Sequence, residues 1–369
     1  MTRVSGPGYE LAVRTAPAGR AVLFPSMGEY PAYDDGVYDG FAAADDRRRA
    51  YRLALMAAAP GRVVVDIGTG RDALWAVEAA RAGARRVYAI EAHPRAAAQA
   101  ERAVADAGLS GRVTVIAGDS TRVRLPERAE VCVSEIVGNI ASAEGAIAVL
   151  ADARARLCAP GCVWIPLRMQ TWAMAVDLNT LQGPDGYAVA AETLPYLRGV
   201  FDAVGHPFDL RLCVAGPVRE AGRSSPAAVE SLVFDGGREA PAPDSSTSVD
   251  LRVGPGGRVT GLVLWTRVAA SSHTTEVDAL TGATRGWAPV YVPLSLPGIP
   301  VGAGDPIRVR FTRRTSDDGV HPDFRVSAEL AGVARHWLSP HHGPGLRGSE
   351  FYRHLFPADN SGAGSGAPS

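Results

Sequence analysis

The chain has 369 residues, 46% of them hydrophobic, with 38 basic against 39 acidic side chains and a formal net charge of -1. That length accommodates two domains, and the charge balance excludes a general electrostatic pull toward nucleic acid or an anionic membrane. No apolar run approaches the ~18 residues of a membrane span, and the opening MTRVSGPGYE lacks a basic-then-apolar leader, so a cytoplasmic protein is expected. The richness in Ala, Arg and Gly suggests a bacterial genome of high GC content. Cys132, Cys158, Cys162 and Cys213 are too few and too scattered for a disulfide framework. The C-x3-C of Cys158 and Cys162 has no second pair at zinc spacing, so no metal is expected and the thiols read as buried and apolar.

In chain order, residues 1–40 mix Gly, Pro and Tyr. From Ala42 to Ala58 the apolar spacing predicts a helix, with Asp45 and Asp46 at its favourable end. VVVDIG (63–68) is a continuous apolar run of the kind that forms a strand buried on both faces. A helix over 73–82 and a second buried strand, VYAIE (87–91), follow. Next come a helix over 94–107, strands at 113–119 and 131–135, a helix over 144–158 and a strand at 163–166. Strand and helix alternating through short loops imply an α/β, doubly wound Rossmann-like domain over 61–166, preceded by an N-terminal segment and helix over 1–60. Beyond about Ile165, Pro, Gly and Val rise. Segments such as RVTGLVLWTRVAA and PIRVRFTRR alternate like antiparallel strands, so a β-barrel-like domain is expected over 167–340. The tail 357–369 is poor in apolar residues and reads as disordered.

DIGTGRDALW (66–75) joins a buried strand to a helix. Gly68 and Gly70 permit a tight turn and close approach of a ligand, with Asp66 at the strand end. Glu91 ends the second strand about twenty residues on, where an acid typically accepts from both ribose hydroxyls. The third glycine of a dinucleotide fingerprint is Ala73 here. Asp119 and Ser120, in AGDS, follow the third strand. A G-x-G loop with an acid after each of the next two strands fits S-adenosyl-L-methionine better than a dinucleotide.

SEIVGNIASAE (134–144) begins at the end of the fourth strand, in the crevice where such sheets bind ligands. Taken singly, Glu135 is an ordinary strand-end acid and Glu144 an ordinary helix-start acid. Together, two partly buried carboxylates are costly unless they face a cation. A guanidinium is the planar cation whose fork satisfies two carboxylates at once. The pair therefore suggests recognition of a guanidino group held for attack on the donor methyl, with one glutamate taking the departing proton. No Asn-Pro-Pro-Tyr-type loop of base-modifying methyltransferases is present, which disfavours a nucleic-acid substrate. RVRFTRR (308–314) reads as a solvated basic strand, and RHWLSPHHG, with His336, His341 and His342, as a surface loop.

On these residues the chain resembles the protein arginine methyltransferase family. Ser134, Glu135, Gly138 and Glu144 match its double-glutamate hairpin, and DIGTGRDAL and ARRVYAIEAHP match its cofactor motifs. YDGFAAADDRRRAYRLAL is similar to the helix that folds over its cofactor. The resemblance implies catalytic Glu135 and Glu144, with Glu135 also lining the cofactor site. It implies that Arg47 meets the cofactor carboxylate, that Tyr38 and Phe41 wall the cofactor and the substrate channel, and that Trp287 lies on the substrate side. It also implies a homodimer closed by an arm, whose counterpart is 181–214. Where the family carries Thr-His-Trp, this chain has Thr284-Arg285-Gly286-Trp287. Ile and Val after Glu135, and Gly70-Arg71, are closer to the symmetrically dimethylating branch. The acceptor expected is arginine in a protein or peptide, or a small guanidino compound. The alternatives are an amine or hydroxyl acceptor, and a cofactor-binding scaffold without turnover.

Overall fold

The computed structural model describes residues 1–16, 23–26, 46–181, 187–208, 210–214, 218–235, 239–280, 287–341 and 350–357. Tyr38, Phe41, Thr284 to Gly286, His342 and the tail beyond 357 lie outside the described residues. At the N-terminus, β1 (Thr2–Gly6) and β2 (Tyr9–Val13) form a hairpin, followed by the short β3 (Thr15–Ala16) and β4 (Leu23–Ser26).

Helix α1 (Asp46–Ala58) buries Arg47, Ala50, Tyr51, Ala54 and Leu55. Those positions make one stripe at helical spacing, which turns that face to the sheet. The sheet is built from β5 (Val63–Ile67), β6 (Arg86–Glu91), β7 (Val113–Ala117), β8 (Ala129–Ser134) and β9 (Cys158–Ile165), all parallel, in the order β7-β6-β5-β8-β9. All five residues of β5 are buried, as its unbroken apolar run requires between two layers of helix. Helices α2 (Leu74–Arg81), α3 (Pro94–Asp106) and α4 (Ala146–Arg156) make the crossovers. The strand order reverses between β5 and β8, so a crevice opens at their carboxyl ends.

Several expected boundaries shift by a residue or more, two of them informatively. The helix expected over 144–158 is Ala146–Arg156, because Gly145 takes a left-handed φ of 78° as its N-cap. The last strand then begins at Cys158 rather than at 163. Ala73, in the place of the third fingerprint glycine, has φ 45°, a conformation glycine reaches without steric cost.

The rest of the chain is mostly antiparallel. One sheet runs β13 (Ala227–Val233), β10 (Arg168–Val176), β16 (Gly261–Ala269), β18 (Val290–Pro293), β12 (Arg211–Val214), β4, β11 (Val189–Ala190) and β3, with β17 (Val277–Asp278) beside β16. A second runs β14 (Ser245–Arg252), β20 (Pro306–Thr315), β21 (Pro322–Leu330) and β22 (Val333–Ser339). Between them β15 (Gly257–Val259) pairs with β19 (Ile299–Val301). Ala173, Val229, Leu264, Val309, Phe311 and Val326 share a core that also takes in Ile140 and Ala143. The two domains therefore meet on the stretch between the paired glutamates.

The segment expected as a dimerisation arm carries α5 (Leu194–Val204). Its Leu197, Val200 and Phe201 are buried in a cluster with Val4, Leu11 and Val13 of the N-terminal hairpin. Tyr352, Leu355 and Phe356, in and just after α6 (Glu350–Leu355), belong to the same cluster. Much of the segment's apolar face is thus covered by its own chain.

Candidate active site

The crevice is lined by loops leaving β5, β6, β7 and β8. After β5 the chain turns sharply, with Gly68 at φ 74° and Gly70 at φ 67°. The amides of Gly68 and Thr69 both donate to the carbonyl of Ile90, at 3.0 Å each, tying the loop to the end of β6. Glu91 accepts from the Gly70 amide at 2.8 Å and, through its other oxygen, from the His93 amide at 2.9 Å. Asp66 is wholly buried and accepts from the Thr69 hydroxyl at 2.5 Å. Burial raises its pKa to about 7, with the charges of Glu91 and Glu135 adding to the push and the Thr69 bond opposing it. Asp119 is held by the amide and hydroxyl of Thr121, at 2.9 and 2.8 Å. Although burial opposes it, those bonds keep its carboxyl below the usual range. Ser120 is buried beside it, and its carbonyl accepts from Arg156.

At the end of β8, Glu135 is held from two sides. Arg47, wholly buried on α1, forms an ion pair with Oε1. The indole Nε1–H of Trp75, near the start of α2, donates to Oε2 at 2.9 Å. Tyr51 stacks on Trp75 with ring centroids 4.7 Å apart, and its hydroxyl points to the Ser134 carbonyl at 3.4 Å. Trp287 is buried, with the Arg47 guanidinium 5.8 Å from its ring centre. Arg47, Trp75, Glu135 and Trp287 thus form one cluster on the crevice wall.

The stretch from Glu135 to Glu144 is a compact loop. The Ala143 amide donates to the Ile140 carbonyl at 2.9 Å, and the Gly145 amide to that of Ser142 at 3.2 Å. A Cβ at Gly138 would lie 2.8 Å from the Ala143 methyl and 2.9 Å from the Ile140 oxygen, so closure of the loop requires glycine there. Closure brings Glu144 into the field of Glu135. Burial raises the Glu144 pKa to about 8, and the charge of Glu135 adds to it. Two acids nine positions apart have become two groups in one electrostatic environment.

Some readings of the sequence change. Arg47, expected to meet the cofactor carboxylate, is engaged with Glu135 in the crevice wall. Trp75 was not legible as a site residue, since an aromatic in the first turn of a helix under a sheet ordinarily reads as core. The strand RVRFTRR is not uniformly solvated. Ile307, Val309 and Phe311 face the core, and the same alternation carries Arg313 inward, where it is buried and pairs with Glu230. The period-2 register was the signal for it. The histidines near the C-terminus are not one surface loop either. His336 is exposed, but His341 is buried and stacks on His321 at 4.2 Å with ring planes 3° apart. Both rings address Asp318, at 2.6 and 3.3 Å. In this arrangement both imidazoles share the Asp318 carboxylate, and one ligand atom from each of the three residues lies within 4.8 Å of the others.

The fold and the crevice define a Rossmann-like, methyltransferase-type α/β domain with an antiparallel β domain closing over its strand ends. No protein-family model matches the sequence. The chain is 30% identical over 298 residues to an arginine N(omega)-methyltransferase of Streptomyces achromogenes subsp. streptozoticus, a match covering 75% of this chain and 77% of that protein. A probable protein arginine N-methyltransferase 6 of Arabidopsis thaliana is 34% identical over 169 residues, 45% of this chain and 37% of the relative. Among solved structures, Arabidopsis thaliana protein arginine methyltransferase 10, in an open conformation, superposes with a TM-score of 0.62 at 20% identity, over 79% of this chain and 95% of that one. A Trypanosoma brucei PRMT1 enzyme-prozyme heterotetrameric complex with AdoHcy gives 0.60 at 18% identity, over 80% and 93%. The chain belongs to the arginine methyltransferase family.

Proposed function

We propose that this protein is an S-adenosyl-L-methionine-dependent N-methyltransferase whose acceptor is the guanidino group of arginine. The observation that carries the proposal is the closed loop that joins Glu135 to Glu144 at the strand-end crevice, with Glu135 anchored by Arg47 and Trp75 and the turn packed tightly at Gly138. Burial and the charge of Glu135 raise the Glu144 pKa accordingly. The crevice suits the donor: a glycine turn that brings backbone close, the Glu91 carboxylate at the end of β6, Asp119 and Ser120 at the end of β7, and the Arg47 cation. When bound, the sulfonium supplies an electrophilic methyl group. Glu91 is assigned to the ribose, Gly68 and Gly70 to the methionyl backbone, and Arg47 to its carboxylate. Asp66 supports the loop through Thr69, and Tyr38 and Phe41 are assigned to the walls of the donor pocket and acceptor channel.

The acceptor side follows from charge. Glu135 is fixed in orientation by Arg47 and Trp75, so it can receive one edge of a guanidinium without reorganising. Glu144 carries a proton in much of the free protein at neutral pH. An arriving guanidinium replaces that unfavourable field by an attractive one, lowers the Glu144 pKa and drives its proton out. Two carboxylates then hold two edges of the planar cation, localising its charge and leaving the remaining nitrogen toward the methyl. Either carboxylate can accept the proton that this nitrogen loses on methylation. Trp287, beside Arg47, is assigned to the wall of the acceptor channel.

The relative that matches along most of its length is named for arginine itself, which makes the free amino acid the first acceptor to test. A homodimer joined through the outward face of the 181–214 segment is part of the same proposal, as is action in the cytoplasm of a bacterium. The deciding measurement is a mass-shift assay with free arginine, small guanidines, arginine peptides and control amines. A gain of 14 mass units on a guanidine supports the reading. Methylation confined to an amine or hydroxyl, or donor binding without turnover on any acceptor, overturns it.

A further inference from the structure

Behind the loop that carries Glu144 lies a buried ionic network contributed by the β domain. Glu230 on β13 is 5% exposed and Arg313 on β20 is 2% exposed, and they form a direct ion pair. Arg313 is itself immobilised, since Nε donates to the Pro243 carbonyl at 2.8 Å and Nη2 to that of Ala242. The Glu230 carboxylate faces the loop. Ser142 Oγ donates to Oε1 at 2.7 Å, and Thr171 Oγ1 on β10 donates to Oε2 at 2.7 Å. The Ala141 amide in turn donates to the Thr171 hydroxyl at 3.0 Å. Two successive loop residues, just ahead of Glu144, are therefore anchored to one carboxylate, one by side chain and one by backbone through a hydroxyl relay. Thr266 on β16 fixes the preceding turn by donating to the carbonyls of Gly138 and Asn139, at 2.8 and 3.1 Å.

A buried ion pair is a poor device for stability alone, because apolar replacements of similar volume are often no worse. Its worth lies in direction. A hydroxyl rotates, whereas a carboxylate clamped by an immobile guanidinium presents its acceptor oxygens at fixed points. We propose that Glu230 and Arg313 are a positioning pair, through which the β domain sets the loop backbone and hence the placement of Glu144 for the acceptor. The pair touches neither donor nor acceptor. The inference rests on the reading of Glu144 as half of the acceptor clamp.

The test uses the full chain and three variants. Thr171→Val removes only the relay hydroxyl, Glu230→Gln removes the charge, and the double variant Glu230→Leu with Arg313→Met replaces the pair by apolar volume. At saturating donor, kcat on the guanidino acceptor is expected to fall on the order of 10- to 100-fold in each, as expected for a small misplacement of a reacting group. The donor Kd should stay within about two-fold, because the donor loops are not attached to the network. Amide exchange over 139–145 should quicken while 68–75 stays protected. The double variant keeps this test valid if Glu230→Gln folds poorly, since it leaves no buried charge unpaired. Parental kcat in a folded double variant overturns the proposal, as does unchanged exchange over 139–145 in Glu230→Gln or the double variant. If the parent chain methylates no guanidine, the functional reading fails, and the exchange comparison alone then decides whether the pair holds the loop.

Discussion

Replacing Glu144 by glutamine should slow the reaction and stabilise the protein. The ordinary glutamate value is 4.5 and the folded value about 8, with burial the larger cause and Glu135 the smaller. Between those two pH values the native protein holds a proton that the unfolded chain has released. Its stability therefore falls as pH rises through that window and levels off above about 8. At about 1.4 kcal/mol per pH unit the displacement sets a ceiling of about 5 kcal/mol. Glu144 is half-buried, and solvent screening brings the expected cost to about 1–3 kcal/mol. Glu144→Gln should recover that amount at pH 9, where the native carboxylate is charged, and almost none at pH 5, where it is not. Turnover should move the other way. An amide points N–H where the guanidinium needs an acceptor, and a loss of ~10²–10⁴ in kcat is expected for one misoriented charged or basic group. Donor affinity should change by less than about 1 kcal/mol, because the loop faces the acceptor. In the parent, kcat/KM for the acceptor should rise with pH to a plateau near 8, and the variant should lack that limb. Thermal melts at the two pH values, calorimetry with the donor and a pH series of initial rates measure all of this. Equal stabilities of parent and variant at pH 9 would refute the burial argument, and near-normal methylation by Glu144→Gln would refute the clamp.

Glu91→Ala releases the amides of Gly70 and His93 as well as the proposed ribose contact, so donor affinity should fall by about 1.5–3 kcal/mol, and unchanged affinity by calorimetry removes Glu91 from the donor site. Light scattering at micromolar concentration should give twice the chain mass, and a monomer there rules out the proposed dimer, an outcome that the burial of Leu197, Val200 and Phe201 within their own chain makes informative.

The sequence by itself determined the parallel domain, because a strand buried on both faces must be apolar at every position, and Val63 to Ile67 meets that demand apart from the buried Asp66. It determined where the crevice lies, because acids at strand ends and glycines in the first loop are local requirements of chain turning and ligand approach. It also marked Glu135, Gly138 and Glu144 as a spacing that suggests a pair of carboxylates acting together. Only the tertiary structure decided what those residues meet. Trp75 reached Glu135 because β5 and β8 lie side by side, setting the first turn of α2 beside the end of β8, and no local pattern states that pairing. The helix start slipped to Ala146 because Gly145 turned left-handed against the β20–β21 hairpin, where Val320 would lie 2.7 Å from any Cβ placed there. Arg313 lay in a segment that reads as a solvated basic strand, and its ion partner is 83 residues away in the chain. Periodicity can say that a side chain turns inward, but whether an inward charge finds its counter-charge depends on which strands the fold lays side by side, and that is a property of long-range packing rather than of local sequence.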